Sequence, residues 1–384
     1  MKIKKYRILI GGDLLPSGNN IPLFEHGDIQ ALFGEEICQL FAAADFSIIN
    51  LEGPLTDSEI RKKKAGPAIK APKACVQGIK ALGITGVALA NNHITDYGQS
   101  GYEDTLDALN KAGIQHVGSG KMGMVKSHLM IRLGIKRICI YNVSETFFNS
   151  PEKDIAGANL YDEYLVCNEI KELRKMCDYM IVIYHGGAEY LPYPSPQTRT
   201  RFHRMADCGA DFITAQHTHC IGCEEWYNGT YLLYGQGNFL FARQKKYPQL
   251  TKEGLVSEIC ISDDGFTIEN HLVKIDGHVL KYDADQDLTS FYERSKRVND
   301  TDFIVKEYTA LKVEGIMRKL LVAAKGGYPL KRYLNRIFPK YAKHPEQTYT
   351  LEQILQNYNV IQGDRLREDM YYIWKYILEN KLAK

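Results

Sequence analysis

Between residues 6 and 275, short apolar runs alternate with amphipathic stretches, and this alternation leaves few folds open. The runs Tyr6–Gly11, Phe46–Leu51, Gly86–Ala90, His128–Leu133, Arg137–Asn142, Tyr179–Tyr184, Phe212–Ala215, Tyr231–Gly235, Leu255–Ile261 and Glu269–Ile275 have strand length and strand composition. Between them, Gly34–Ala44, Pro72–Leu82, Gly101–Ala112, Tyr161–Cys177 and Pro196–Cys208 read as helices. Strands interleaved with helices predict an α/β chain. The late strands follow one another without helices, which predicts antiparallel or mixed pairing there.

The pattern changes near residue 280. Residues 1–280 are expected to form the main domain and 281–384 a helical C-terminal extension. Within the extension, Lys312 to Lys343 carries nine Lys or Arg against the single acid Glu314. Ile316, Leu320, Leu321, Leu334, Ile337 and Phe338 are interleaved with them, as on a solvated helical face or a basic surface that meets an anionic membrane or polymer. The net charge of +2 gives no global attraction to nucleic acid, and none is expected as a partner. The run Ile8–Ile10 is too short for the core of a signal sequence, and nothing approaches the ~18 apolar residues that span a bilayer. A cytoplasmic bacterial protein is expected, with at most peripheral contact at the inner membrane face. Its nine scattered cysteines are then expected to be reduced thiols.

In open α/β sheets, functional groups gather beyond the carboxyl ends of the strands. Asp13 follows the first run, and Asn50 and Glu52 lie at the end of the second. Asn92, His93 and then Asp96 follow the third. His185 and Glu189 follow the run at 179–184, His217 and His219 that at 212–215, and Asn238 that at 231–235. Singly, each reads as a cap or a turn residue. Together, carboxylates, amides and four histidines are the donor set for divalent Mn, Fe or Zn, and a site for two such ions is expected. His217 and His219 stand one residue apart, so an extended segment would put both imidazoles on one side.

The order Asp13, Asn50-Leu51-Glu52, Asn91-Asn92-His93, His185-Gly186, His217-Thr218-His219 resembles that of the calcineurin-like metallophosphatases. The closer resemblance is to the CapA family, the poly-γ-glutamate capsule synthesis proteins. It is carried by GGDLLPSG, NLEGPLT, ANNHITDYG, YHGGAEYLPYPSPQ, GADFITAQHTH and LLYGQGNFLF, over about residues 6–275. The resemblance implies a metallophosphatase-like α/β/β/α sandwich of two mixed sheets. It also implies that Asp13, Glu52 and His219 hold one metal and Asn92, His185 and His217 the other. His93 would stand near the leaving group, with Asp96 orienting its ring. There are departures. Leu14 and Leu15 follow Asp13 where metallophosphatases have Asp-x-His, and Glu52 replaces the usual bridging aspartate. His185-Gly186-Gly187 replaces a His-Trp-Gly, and the membrane anchor of many family members is not seen.

The expected function is a metal-dependent hydrolase with a phosphoesterase-like mechanism, acting in synthesis or modification of a bacterial capsule or other anionic surface polymer. Its substrate would be an anionic polymer precursor or a phosphoester. Asn50, Glu189, Asn238, Arg199 and Arg201 are candidates to touch that substrate, the arginines by pairing with an anionic group. The alternative is a non-catalytic accessory protein of a polymer synthesis complex, favoured by the incomplete first metal motif and the long tail.

Overall fold

The computed structural model describes residues 5–64, 66–145, 149–241 and 248–315, together with Glu368, Tyr371 and Tyr372. The first strands are β1 (Tyr6–Leu15), β2 (Phe46–Leu51), β3 (Gly86–Ala88), β4 (Gln115–Val117) and β5 (Ser119–Gly120). Next come β6 (His128–Leu133), β7 (Lys136–Ser144), β8 (Gly157–Ala158), β9 (Tyr179–His185) and β10 (Phe212–Gln216). The last are β11 (Glu224–Tyr227), β12 (Thr230–Leu233), β13 (Asn238–Phe241), β14 (Glu253–Ser262), β15 (Gly265–Asp276) and β16 (Val279–Tyr282). One sheet runs β16-β15-β14-β1-β2-β3-β4, with β13 also pairing with β1, and the other runs β11-β12-β10-β9-β7-β6. Both sheets are mixed: β1 pairs parallel with β2 but antiparallel with β14, and β9 pairs parallel with β7 and β10 while β6 and β7 are antiparallel.

The period-two alternation of the strands builds three layers of core. In β1, Ile8 and Ile10 face the gap between the sheets, while Leu9 faces outward. In β9, Ile181 and Ile183 face the same gap, while Met180, Val182 and Tyr184 face away. Burying each such aliphatic side chain contributes about 1.5–3 kcal/mol, so every strand is held from both faces. The outer face of the first sheet is covered by α1 (Ile21–His26), α2 (Ile29–Ala42), α3 (Val76–Ala81) and α4 (Gly98–Ala112). The second sheet is covered by α5 (Glu163–Arg174) and α6 (Pro196–Asp207). The chain therefore forms the expected α/β/β/α sandwich.

The differences from the sequence reading lie at element ends, in short strands and in the short helix α1, which was not expected. The helix expected at Gly34–Ala44 begins at Ile29, because the Asp28 side chain accepts from Ala31 N and caps it. Gly34, with φ 71°, kinks this helix instead of starting it. β13 and β16 are four residues each and escape a periodicity test.

The segment after residue 280 packs closely on the sandwich through α7 (Thr289–Ser295) and α8 (Thr301–Gly315). Phe291 enters the core between the sheets, and Arg294 donates to the carbonyls of Ile221 and Gly222. The basic stretch 312–343 lies, beyond the backbone of its first few residues, outside the described residues. Among the described residues, no helix is long and apolar enough to cross a membrane.

Candidate metal centre

Asp13 stands where β1 exchanges one neighbour for another. Up to Ile10 the strand pairs with β14, and from Asp13 it pairs with β13. Gly12 lies between these two pairings, where the register of β1 on β2 also slips. A Cβ on Gly12 would lie 2.1 Å from the Gly237 carbonyl oxygen, so only glycine lets β13 come this close. The Asp13 carboxylate is thereby delivered, fully buried, to the carboxyl end of the sheet. Its Oδ1 accepts from Asn50 Nδ2 at 2.8 Å, and its Oδ2 accepts from His217 N at 3.0 Å.

Glu52 follows β2, and its amide donates to Leu14 O at 3.0 Å. Asn91 stitches the next turn to it, donating to Leu51 O at 2.8 Å and accepting from His93 N at 3.0 Å. His185 is the last residue of β9, and its Nε2 lies 2.9 Å from Asn92 Oδ1.

His217 and His219 do reach one site, but not by strand alternation. β10 ends at Gln216, and both histidines take left-handed backbone conformations, φ 83° and φ 53°. Tyr190, in the loop stacked against His219, does the same at φ 63°. Such conformations cost about 1–3 kcal/mol each for side-chain-bearing residues and gather at functional sites. Here they are held by His217 N on Asp13 and by Tyr190 N on Thr218 O at 2.8 Å.

Two donor groups result. Asp13, Glu52 and His219 form one, and Glu52, His185 and His217 the other; within each, the ligand atoms lie within 4.8 Å of one another. Glu52 is common to both. Its Oε1 is 3.8 Å from His185 Nε2 and 3.7 Å from His219 Nε2. Glu52 therefore stands between the two groups.

The electrostatics match a cation. Burial alone would lower the proton affinity of His219, but the Glu52 and Asp13 carboxylates outweigh it and raise its pKa to about 10. Burial also works to raise the Asp13 pKa, but His219, His185 and Asn50 bring it below its ordinary value. Burial, reinforced by His217, holds His185 well below the usual imidazole range, so it offers a lone pair at neutral pH. A buried carboxylate pair that attracts positive charge, flanked by imidazoles, fits divalent Mn, Fe or Zn in donor chemistry. A third group, Glu258, Glu269 and His271, is otherwise engaged, since Arg7 donates to both Glu258 oxygens at 2.6 and 3.0 Å.

His93 lies beside the centre and outside both groups. Its Nδ1 is 2.6 Å from Asp96 Oδ2, the orienting contact expected of Asp96. Lys64, which the sequence reading passed over, bonds Asp96 Oδ1 and also reaches Asn92 O at 3.2 Å. The run Arg61-Lys62-Lys63-Lys64, between two motif blocks, was the signal that could have found it.

The candidates for substrate contact fare differently. Glu189 sits at the rim, 3.7 Å from His217 Nε2, with its side chain 40% exposed. Asn50 is fully buried and bonds Asp13 and Asn91 instead of facing a substrate. Asn238 Oδ1 is 2.9 Å from His219 Nδ1, so it fixes the orientation of that ring. Arg199 is engaged by Glu225 at 3.0 Å and Asn299 at 2.8 Å. Arg201 is buried against the Tyr184 hydroxyl at 2.9 Å and over the Tyr161 ring. Both arginines tie α6 to its surroundings, because helix spacing turns them toward partners that are distant in sequence.

Residues 7–243, which contain every residue of this centre, match the bacterial capsule synthesis protein family PGA_cap. The chain belongs to that family. Within this capsule synthesis family, PGA biosynthesis protein CapA of Bacillus subtilis is 32% identical over 209 residues, 53% of this chain and 54% of the relative. Capsule biosynthesis protein CapA of Bacillus anthracis is 28% identical over 235 residues, 59% of this chain and 56% of the relative. A probable polyglutamine synthesis accessory protein of Mycobacterium tuberculosis is 30% identical over 213 residues, 51% of this chain and 55% of the relative. The chain thus spans about half the length of the curated relatives it matches. Among solved structures, a phosphatase of Mycoplasma pneumoniae shares TM-score 0.46 and 14% identity, over 75% of this chain and 99% of that one. A putative 5'-nucleotidase of Staphylococcus aureus shares TM-score 0.46 and 14% identity, over 77% of this chain and 58% of that one.

Proposed function

We propose that this capsule synthesis family member is a metal-dependent hydrolase with a phosphoesterase-like mechanism, acting on an anionic precursor or phosphoester in the making of a surface polymer. One observation carries the reading: two buried donor groups share Glu52. A purely structural role has no need of such convergence. Asp13, Glu52 and His219 would hold one divalent ion, and Glu52, His185 and His217 the other, with Asn92 beside His185. Ions held in this way supply Lewis acidity at a phosphoryl or carbonyl oxygen and lower the pKa of water. The protein's own part is to place His93 near the leaving oxygen, as a proton donor whose ring Asp96 fixes. The Asn50–Asn91 amide web holds the Asp13 carboxylate still beneath it.

A second reading is favoured by one finding: the mycobacterial relative is described as a probable accessory protein. In that reading the chain serves polymer synthesis machinery without turnover of its own. Elemental analysis of protein purified without a histidine tag tests the metal centre, and release of phosphate from a phosphoester panel tests the chemistry. About two equivalents of Mn, Fe or Zn with turnover support the hydrolase. Metal without turnover moves the accessory reading ahead, and no metal after reconstitution with Mn removes the hydrolase reading.

A further inference from the structure

His93 is gripped from two sides. Asp96 Oδ2 lies 2.6 Å from its Nδ1, and Lys64 Nζ lies 3.2 Å from the same nitrogen. An ionised aspartate can only accept, and an ammonium can only donate. Nδ1 can satisfy one of them, and the shorter contact is to Asp96. Lys64 has other acceptors, Asp96 Oδ1 and Asn92 O. The arrangement is consistent when Nδ1 carries the proton and donates a hydrogen bond to Asp96, with Nε2 as the basic nitrogen.

Asp96 is fully buried, and Lys64 is nearly so, with 3% of its side chain exposed. A buried carboxylate without a counter-charge is costly. Lys64 supplies that counter-charge, and Ile69 N adds a bond to Oδ2 at 2.9 Å. Lys64 and Ile69 both belong to the segment between β2 and α3, whose base is closed by Thr56 N on Ala71 O at 2.8 Å. Lys62 N donates to Asp96 O at 2.8 Å, so the strap meets Asp96 through backbone and side chain alike.

We propose that Lys64 is a positioning residue: by pinning Asp96 it holds the His93 ring in one orientation, with the proton on Nδ1. The inference rests on the role of His93 in the hydrolase reading for its importance, but its geometry is tested independently.

The experiment uses the metal-loaded full chain labelled with ¹⁵N-histidine, and reads the His93 tautomer by long-range ¹H–¹⁵N correlation, with His93→Gln giving the assignment. Wild type is expected to show Nδ1–H. Lys64→Met is expected to show mixed or reversed ring protonation, and Lys64→Arg to restore the wild-type pattern. Lys64→Gln, which keeps a neutral donor, takes the place of Lys64→Met if that variant fails to fold. With p-nitrophenyl phosphate as the probe, the uncharged variant is expected to lose about tenfold or more in kcat at unchanged KM and metal content, and arginine to recover most of it. An unchanged tautomer in the uncharged variant overturns the proposal, whatever the turnover. Absence of turnover in wild type counts against the hydrolase reading alone, since the tautomer pattern still decides the role of Lys64.

Discussion

Glu52 Oε1 and His219 Nε2 face each other at 3.7 Å, both buried, too far apart to share a hydrogen bond. In the proposed centre these two groups would hold one ion between them. Since Glu52 also belongs to the group with His185 and His217, both halves of the centre depend on it, whereas Asp13 and His217 each belong to one. Glu52→Gln is expected to lose most of both metal equivalents, whereas Asp13→Asn and His217→Ala each lose about one. Elemental analysis after dialysis distinguishes these outcomes, and equal losses in all three variants would contradict a shared ligand.

Asn238 fixes the His219 ring without itself belonging to either group. Its Oδ1 takes the His219 Nδ1 contact at 2.9 Å, and its Nδ2 donates to Thr251 O at 2.8 Å. With Nδ1 occupied, Nε2 is the nitrogen presented toward Glu52. Removing such a contact typically weakens metal affinity about 10–100-fold. Asn238→Ala is expected to fall in that range in a competitive chelator titration. Asn238→Asp keeps an acceptor for Nδ1 and is expected to lose less.

How much of this was legible beforehand varies with the range of the interaction. The strands and the polar residues at their ends follow from local pattern, and Asp13, Glu52, His185, His217 and His219 were all named from position alone. The route by which two of them converge was not. Two left-handed histidines one residue apart cannot be read from a sequence that looks like the end of a strand, because contacts distant in sequence, such as those with Asp13 and the Tyr190 loop, hold them. Lys64 and Asp96 are 32 residues apart, and Arg199 and Glu225 26 apart. The sign of a charge announces neither partner. Thus Lys64 was overlooked, while Arg199 was assigned to a substrate although a carboxylate on β11 holds it.

Gly12 should be as intolerant as a ligand. An added Cβ would meet Gly237 O at 2.1 Å and Gly237 C at 3.1 Å, backbone atoms that cannot move aside as a side-chain tip can. Gly12→Ala must therefore push β13 away from β1, carrying Asn238 out of register with Asp13. Overpacking of this kind costs about 1–3 kcal/mol or more. Thermal denaturation is expected to show a lower Tm, and metal affinity should fall even though no ligand is changed. Gly265→Ala offers a contrast: it is strained by its φ of 132° but crowded by nothing within 4 Å, and it should lower Tm without affecting metal.

Glu225 makes acid sensitivity separable from the metal centre. It accepts from Arg199 at 3.0 Å, Tyr234 Oη at 2.8 Å and His203 Nε2 at 3.1 Å, with 4% of its side chain exposed. Burial works to raise its pKa, but His203, Arg199 and Tyr234 outweigh it and bring it from 4.5 to about 2. Below its ordinary value the unfolded chain binds a proton that the folded chain does not. Stability from this group is therefore present in full above pH 4.5 and is lost as pH falls toward 2. Glu225→Gln is expected to be less stable than wild type at pH 7, and the difference should shrink across that window. Denaturation midpoints of the two proteins, measured from pH 7 to pH 2.5, check this directly. A gap that stays constant over the whole range would mean that the carboxylate charge contributes nothing and that the bonds from Arg199 and Tyr234 serve a neutral side chain equally well.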